Sequence, residues 1–292
     1  MNLLDKLAKE GLIFDGGMGT MLIQEGLAGG ELSESWNLKE PEIIKKIHAA
    51  YFQAGADIAT TNTFAGSSFK LKKAGLEEKA EEVNSRGVEI AKEAAGAGQF
   101  VAGSIGPIGE MLQPVGMLSV EQATELFAEQ AGYLAKAGAD LFIIETMFDL
   151  NESQTAIKAV RSVSSLPIFA TITFEKKTKG FYTIMGNIVE ESMQGLAESG
   201  ANVVGANCSL GSEQMIDLAA EIKKCTELPV IMQPNAGMPQ TKKDQVIYPE
   251  EKEFFVDNLL KIKDLGVEVV GGCCGTNPEY IKLLAEKLKN KV

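Results

Sequence analysis

A short motif that ends a helix and begins a strand recurs along this chain of 292 residues. Its four copies are Ala54-Gly55-Ala56-Asp57, Ala137-Gly138-Ala139-Asp140, Ser199-Gly200-Ala201-Asn202 and Leu265-Gly266-Val267-Glu268. Each glycine suits a left-handed helix C-cap, and the apolar run that follows is typical of a strand buried on both faces. The repeat therefore predicts alternating helices and parallel strands.

Eight apolar runs follow this rule. They lie near Leu12 to Gly16, Ile58 to Thr63, Phe100 to Ile105, Leu141 to Thr146, Ile168 to Thr173, Val203 to Cys208, Val230 to Pro234 and Val267 to Gly272. Amphipathic segments such as Pro41 to Ala54 and Val120 to Ala137 separate them. Eight alternations favour a closed (β/α)8 TIM barrel over an open sheet. Because no linker or low-complexity tract divides the chain, we expect one barrel domain over residues 1–292.

The net charge of the chain argues against two classes of binding partner. The chain has 28 Lys+Arg against 40 Asp+Glu, a net charge of -12, which would repel nucleic acid and an anionic membrane surface. The sequence has neither a secretory leader pattern nor an uncharged run of membrane-spanning length, so we expect a cytoplasmic protein. In a reducing compartment its 4 cysteines are expected to be thiolates available to a metal rather than disulfides.

The unusual motifs all lie where predicted strands end, and in a TIM barrel the active site is built from the loops at those C-terminal ends. Cys208 ends the sixth strand, and the adjacent Cys273 and Cys274 end the eighth. These three side chains are predicted to converge on one ion. Three thiolates favour Zn²⁺ and leave a fourth position for a substrate thiol, which the metal would hold as thiolate at neutral pH. The three cysteines would thus act catalytically through zinc.

A simpler interpretation makes these cysteines small core residues, because free cysteine is among the most buried residue types. Three of them at matching strand ends, two beside glycines, favour the metal. Cys225 lies in a predicted helix away from the strand ends and is expected to take no part.

Two carboxylates interrupt apolar strands at the same end of the barrel. Asp15 follows Leu12 to Phe14, and Glu145 follows Leu141 to Ile144. Buried charge requires a partner, which a ligand ammonium would supply, while the amides of the Gly16-Gly17 turn would receive the carboxylate of the same ligand. An amino acid that carries a thiol satisfies both conditions. The alternative is that each acid binds the backbone of a neighbouring loop.

The sequence leaves two interpretations open for each of three further residues and indicates a structural role for a fourth. Asn62 and Asn235 either line the pocket or bind loop backbone, and Asn235 would also offer an amide oxygen as a temporary fourth metal ligand. Trp36 either stacks on a large cofactor or packs in its loop. The lone His48 lies in a predicted helix and is expected to be structural.

Together these motifs resemble the homocysteine S-methyltransferases from about Leu12 to Glu286. The matching segments are Asp15-Gly16-Gly17-Met18-Gly19-Thr20, Thr61-Asn62-Thr63-Phe64, Ser104-Ile105-Gly106-Pro107, Glu145-Thr146, Gly205-Ala206-Asn207-Cys208, Pro234-Asn235-Ala236-Gly237 and Gly271-Gly272-Cys273-Cys274-Gly275-Thr276. The resemblance implies that Cys208, Cys273 and Cys274 hold Zn²⁺ and that homocysteine sulfur takes the fourth site. It also implies that Asp15 and Glu145 bind the amino-acid end, and that methionine is the product.

Three segments look most like the homocysteine domain of cobalamin-dependent methionine synthase within the family: the run from Trp36 to Glu42, Thr61-Asn62-Thr63-Phe64 and Asn235-Ala236-Gly237. Betaine-using members are less similar, because they carry an aromatic residue where this chain has Thr146 and also a C-terminal extension. The resemblance implies a methylcorrinoid as methyl donor. The chain lacks the Asp-x-His-x-x-Gly cobalamin motif, since Lys46-Ile47 precedes His48. A separate corrinoid protein or cobalamin-binding domain is therefore expected to deliver the methyl group.

Two alternatives remain. One is the same zinc chemistry with S-methylmethionine, S-adenosylmethionine or betaine as donor. The other is a zinc-dependent thiol-binding protein or subunit without catalysis.

Overall fold

The computed structural model describes residues 2–242 and 245–290 as a TIM barrel. Its strands are β1 (Leu12–Ile13), β2 (Ile58–Thr60), β3 (Phe100–Ile105), β4 (Leu141–Met147), β5 (Ile168–Ile172), β6 (Val203–Gly211), β7 (Val230–Asn235) and β8 (Val269–Val270). They pair in parallel in the order β1-β8-β7-β6-β5-β4-β3-β2. A parallel bridge from Phe14 to Ile58 joins β1 to β2 and closes the ring. The predicted fold class is confirmed.

The helices alternate with the strands and surround them. They are α1 (Leu3–Glu10), α2 (Met18–Gln24), α3 (Trp36–Lys39), α4 (Pro41–Ala54), α5 (Ser68–Leu71), α6 (Ala80–Ala94), α7 (Val120–Lys136), α8 (Leu150–Val163), α9 (Val189–Glu198), α10 (Ser212–Cys225), α11 (Lys252–Asp264) and α12 (Pro278–Lys289). The predicted helix from Pro41 to Ala54 has those bounds, and α7 ends one residue before the predicted Ala137. The first, second and last strands are shorter than predicted, because the chain beyond Ile13, Thr60 and Val270 turns into loops.

The glycines of the repeated motif have the predicted left-handed conformation. Their φ angles are 106° at Gly55, 97° at Gly138, 107° at Gly200 and 85° at Gly266. A side chain is disfavoured at such angles, whereas glycine adopts them freely. The glycine therefore lets the chain leave each helix and enter the next strand within a few residues.

The last residue of each motif joins two strands at the N-terminal end of the barrel, here called the lower end. Its side chain accepts a hydrogen bond from a backbone N–H near the start of the preceding strand. The pairs are Asp57 with Ile13 (2.8 Å), Asp140 with Val101 (2.7 Å), Asn202 with Ile168 (2.9 Å) and Glu268 with Val230 (2.8 Å). A cationic side chain from the helix before that strand donates to the same group. These cations are Lys6, Lys92, Arg161 and Lys223.

The barrel interior changes from apolar to polar along its axis. Alternate strand residues form its apolar layers, and α1 adds Leu3 and Leu7 at the lower end. The inward-facing apolar residues are Leu12, Phe14, Ile58, Ala102, Leu141, Ile143, Phe169, Val203, Ile231 and Val269. Since side chains alternate with period two, the next inward positions after Ala102, Ile143 and Phe169 are polar, namely Ser104, Glu145 and Thr171. The C-terminal end of the barrel, here called the rim, thus has a polar floor.

Two residues with open interpretations are part of the packed interior. Trp36 is buried with Leu22 and Ile44, which agrees with packing in its loop. His48 is fully buried in α4, and burial lowers its pKa to about 4. Within the described residues, no helix is long and apolar enough to cross a membrane.

Candidate metal and substrate site

The three cysteines that the sequence placed at strand ends meet at the rim. Their Sγ atoms all lie within 4.8 Å of one another, and those of Cys273 and Cys274 are 4.0 Å apart. Tetrahedral zinc with Zn–S bonds of about 2.3 Å would place its sulfurs about 3.8 Å apart. The three side chains therefore fit this ion with little adjustment. Cys225 lies on α10, where its thiol donates to the carbonyl oxygen of Glu221 at 3.2 Å.

Backbone bonds to β7 hold the paired cysteines in place. The Cys273 N–H donates to the Pro234 carbonyl at 2.8 Å, and the Cys274 N–H donates to Asn235 Oδ1 at 3.2 Å. Thr276 adds a bond from its hydroxyl to the Cys273 carbonyl oxygen at 2.7 Å. These bonds fix both sulfurs relative to the strand, so the site is assembled by the barrel rather than by the metal alone.

Cys208 reaches the cluster through an uncommon backbone conformation. Its φ is 60°, that of Ser209 is 61°, and that of Thr146, on β4 beyond β5, is 59°. Residues other than glycine seldom adopt positive φ, and such strain persists only where the surroundings enforce it. Three adjacent instances beside the sulfurs indicate that the turn is shaped for the site.

Asn207 provides much of that enforcement. Its side chain accepts hydrogen bonds from the Thr146 N–H (2.8 Å) and the Thr171 hydroxyl (2.7 Å), and its amide donates to the Thr146 hydroxyl at 2.8 Å. It joins β4, β5 and β6 at the level of the metal ligands. No role was expected for Asn207 from the sequence, although the period-two pattern from Val203 through Gly205 directs its side chain into the barrel.

The cluster favours one thiolate even without a metal. Hydrogen bonds from the Cys273 and Cys274 thiols, and a weaker contribution from Asn235, lower the pKa of Cys208. A thiolate is the form that binds metals. Within the cluster, Cys208 is therefore the cysteine whose metal-binding form is favoured by its neighbours.

Asp15 is buried and its charge has little compensation. The Thr60 N–H and hydroxyl donate to its two oxygens at 2.7 and 2.9 Å. Burial nevertheless raises the pKa of Asp15 to about 8, and the nearby Glu145 adds to the rise. The Thr60 bonds match the backbone-binding alternative. Because burial outweighs these bonds, the ionised form of Asp15 is disfavoured in the structure.

Glu145 lies on the same polar floor and opens partly to the rim. Its Oε1 accepts from the Ser104 hydroxyl at 2.6 Å, and its Oε2 lies 3.4 Å from the Asn207 amide nitrogen. Burial raises the pKa of Glu145 to about 7, and the neighbouring Cys208 sulfur raises it further. Among the groups of the described chain that shift the pKa of Asp15 or Glu145, none is a cation. The two acids are thus adjacent, unpaired and close to the metal cluster.

The turn after Asp15 shows why glycines follow it. A Cβ at Gly16 would lie 2.5 Å from the Thr276 hydroxyl oxygen, which is too close for any side chain. The Gly17 N–H already donates to that oxygen at 3.1 Å. The turn therefore packs against the cysteine loop. Because the Gly17 N–H is already bonded to Thr276, only the Gly16 N–H of the two remains as the expected donor to a ligand carboxylate.

The two asparagines differ in their contacts. Asn62 is buried, and its amide nitrogen donates to the Ser33 carbonyl at 2.8 Å and to Asn37 Oδ1 at 3.0 Å. These contacts agree with the loop-binding interpretation. Asn235 is buried beside the cysteines, and its Oδ1 accepts a hydrogen bond from the Cys274 N–H at 3.2 Å. This position is compatible with the hypothesis that the Asn235 amide oxygen is a temporary fourth metal ligand.

Comparison with known proteins agrees with this geometry. The chain is 30% identical over 97% of its length to methionine synthase of Mycobacterium leprae and 28% identical over 99% to that of Mycobacterium tuberculosis. It spans about a quarter of the length of these relatives.

Among solved structures, the homocysteine methyltransferase MmuM from Escherichia coli has the same fold. Its metallated form matches with a TM-score of 0.81 at 24% identity, and its oxidized form with a TM-score of 0.80 at 25% identity. Each match covers 98% of both chains. The homocysteine S-methyltransferase family model matches residues 12–288. With its three-cysteine metal site at the rim of a TIM barrel, this chain belongs to the homocysteine S-methyltransferase family.

Proposed function

We propose that this chain transfers a methyl group to the sulfur of homocysteine and forms methionine, with a methylcorrinoid on a separate protein or domain as donor. The observation that carries the proposal is the triangle of cysteine sulfurs beside two unpaired buried carboxylates. The sulfurs suit the thiol end of the substrate and the carboxylates suit its ammonium. The similarity to methionine synthases over a quarter of their length supports the corrinoid donor.

Cys208, Cys273 and Cys274 would hold zinc, which when bound supplies the ability to keep a substrate thiol as thiolate at neutral pH. Asp15 and Glu145 would bind the ammonium, and the Gly16 amide would bind the carboxylate. Because the thiol proton leaves on binding, no side chain is needed as a general base in the transfer. The homocysteine thiolate then supplies the electron pair of the new sulfur–carbon bond. The bond between the methyl group and the donor breaks at the same time, and the electron pair of that bond stays with the donor.

Binding should release protons near neutral pH for two reasons. The thiol must ionise, and the substrate ammonium stabilises the anions of Asp15 and Glu145, whose pKa values are raised to about 8 and about 7. Calorimetry in buffers of different ionisation enthalpy counts these protons. Proton uptake at pH 7, or no proton exchange, would contradict the assignment of these acids.

The donor is tested by supplying homocysteine with methylcobalamin, S-methylmethionine, S-adenosylmethionine or betaine in parallel and measuring methionine. We expect the highest rate with methylcobalamin. A higher rate with one of the others identifies that donor and overturns the corrinoid proposal. Homocysteine binding without methionine from any donor, even with a corrinoid protein added, would favour the thiol-binding protein without catalysis.

Direct coordination is tested separately with Co²⁺ in place of zinc. Homocysteine should strengthen the sulfur-to-metal charge-transfer absorption, because a fourth sulfur joins the metal. An unchanged spectrum at saturating homocysteine would exclude a thiol in the metal shell.

A further inference from the structure

Gln233 carries a buried polar atom that no group of the described chain binds. The residue lies on β7 and is 5% exposed, and its Oε1 makes no hydrogen bond within the described residues. A buried amide oxygen without a partner destabilises the folded state, and such atoms are rare in native proteins. We therefore expect this oxygen to meet a donor that the chain itself does not supply.

The side chain of Gln233 points into the barrel. Ile231, two residues earlier on β7, belongs to the inward-facing apolar layers, so Gln233 occupies the next inward position. Its partner in the strand register is Asn207 on β6, whose amide nitrogen lies 3.4 Å from Glu145 Oε2. Gln233 thus belongs to the same polar floor as Glu145.

The side chains of the two neighbouring strands leave that oxygen without a donor. On β6, the Asn207 amide nitrogen donates to the Thr146 hydroxyl at 2.8 Å. On β8, the residue beside Gln233 is Gly271, which has no side chain. The amide oxygen is therefore left as an acceptor for a group inside the barrel.

Gln233 and the two rim acids approach the interior from three sides. Asp15 follows β1, Glu145 lies on β4, and Gln233 lies on β7. In the closed ring, β1 and β4 are three strands apart, β4 and β7 are also three apart, and β7 and β1 are two apart. The three groups are thus spread almost evenly around the barrel axis.

A primary ammonium group matches this arrangement. Its three N–H donors point in three directions around the carbon–nitrogen bond, and it has no acceptor of its own. The two carboxylates supply acceptors and the compensating charge. Gln233 supplies a third acceptor that is neutral, so that no third negative charge has to be buried.

We propose that Gln233 is a substrate-binding residue whose amide oxygen accepts a hydrogen bond from the homocysteine ammonium. The residue would then make the site selective for thiols that carry a primary amino group. The inference rests on the proposed function, in which Asp15 and Glu145 bind the same ammonium. It adds a neutral group, on a third strand, to these two acids.

The test compares two ligands on four zinc-loaded proteins. The ligands are homocysteine and 4-sulfanylbutanoate, which is homocysteine without its amino group. The proteins are the native chain, Gln233→Leu, Gln233→Glu and Gln214→Leu. Glu keeps an acceptor oxygen in either protonation state. Gln214→Leu is the matched control, because Gln214 also has a buried amide oxygen without a partner in the described chain but lies on α10, outside the ring of strands.

We expect Gln233→Leu to bind homocysteine about tenfold more weakly, since a hydrogen bond to a charged group is lost. Its affinity for 4-sulfanylbutanoate and its zinc content should be those of the native chain. Gln233→Glu should keep the preference for homocysteine, and Gln214→Leu should match the native chain with both ligands. Titration calorimetry and metal analysis measure these quantities. Should Gln233→Leu fail to fold, Gln233→Met, which keeps the side-chain length with only a weak acceptor, takes its place.

Three outcomes would overturn the inference while the proposed function stands. The variant without the amide could keep the native preference for homocysteine, it could weaken both ligands equally, or Gln233→Glu could be as weak as Gln233→Leu. A native chain that holds zinc but does not bind homocysteine would instead contradict the proposed function, and the inference with it.

Discussion

The two ends of the barrel treat acidic side chains in opposite ways. At the lower end, Asp57, Asp140 and Glu268 each bind a backbone N–H and also a lysine from a neighbouring helix. At the rim, Asp15 and Glu145 have hydroxyl, amide or backbone donors, and burial raises the pKa of both. The lower-end acids are paired with lysines of the chain, whereas in the described structure no cation pairs with either rim acid.

This contrast separates stability from function. Burial of a carboxylate without a counter-charge destabilises the folded state, so such groups persist where a ligand uses them. The lower-end acids recur with the repeated motif and join strands in three places, and Asn202 does so in the fourth. The rim acids occur once each and lie beside the metal ligands.

The largest expected effect is loss of the metal. Replacement of Cys208, Cys273 or Cys274 by Ala should lower zinc content from one ion per chain to none, because two thiolates leave the cation mostly solvated. Cys225→Ala, on α10, is the matched control and should retain full zinc. Metal analysis after gel filtration measures both. Zinc loss in Cys225→Ala but not in Cys208→Ala would show that the ligand set is wrong.

The next largest effect is the pH dependence that Asp15 gives to the free energy of unfolding. The pKa of Asp15 is raised from 3.8 to about 8 in the folded state, so the folded chain holds a proton that the unfolded chain releases between these values. The free energy of unfolding of the native chain should therefore fall as pH rises from about 4 to about 8, at most by about 1.4 kcal/mol for each unit. In Asp15→Asn this contribution disappears.

Urea unfolding of the metal-free native chain and of Asp15→Asn between pH 5 and pH 9 measures the difference. The variant should gain stability relative to the native chain as pH rises. A constant difference across this range would mean that Asp15 is ionised throughout and already compensated.

A smaller effect is expected in ligand affinity at Glu145. Glu145→Gln should weaken homocysteine binding about ten- to a hundredfold, since a charged hydrogen bond contributes about 1.5 to 3 kcal/mol. An analogue without the amino group should bind the native chain and the variant more equally. Titration calorimetry with zinc-loaded protein measures all four affinities. Normal binding with impaired turnover would instead assign Glu145 to the chemical step.

The smallest effect is expected at the lower end. Asp140→Asn keeps an oxygen for the Val101 N–H and loses the ion pair with Lys92, whose side chain is 38% exposed. Asn202 occupies the equivalent place in another copy of the motif, so an amide functions there. The free energy of unfolding should fall by about 1 kcal/mol or less, without change in zinc content. A larger loss would mean that a lower-end acid contributes as much to the free energy of unfolding as is expected for the rim acids.

The fold was predictable because its signals are local and repeated. Glycine after each helix, as at Gly55 and Gly138, requires a backbone angle that the sequence itself reveals. The metal ligands followed from the same reasoning, since the ends of parallel strands meet at one rim and Cys208, Cys273 and Cys274 end such strands. Strand limits were less accurate, because β1 and β8 end where tertiary bonds to the rim loops replace the sheet pattern.

What the sequence determined is the barrel, the identity of the three sulfurs and the presence of two acids at the rim. Only the tertiary structure decided which polar groups face those sulfurs. Asn207 is placed by bonds to β4 and β5, and Asn235 by the bond that it accepts from the Cys274 N–H. Periodicity and glycine act within a few residues along the chain. Hydrogen-bond partners of a metal ligand depend on contacts between segments far apart in sequence, which only the closed barrel brings together.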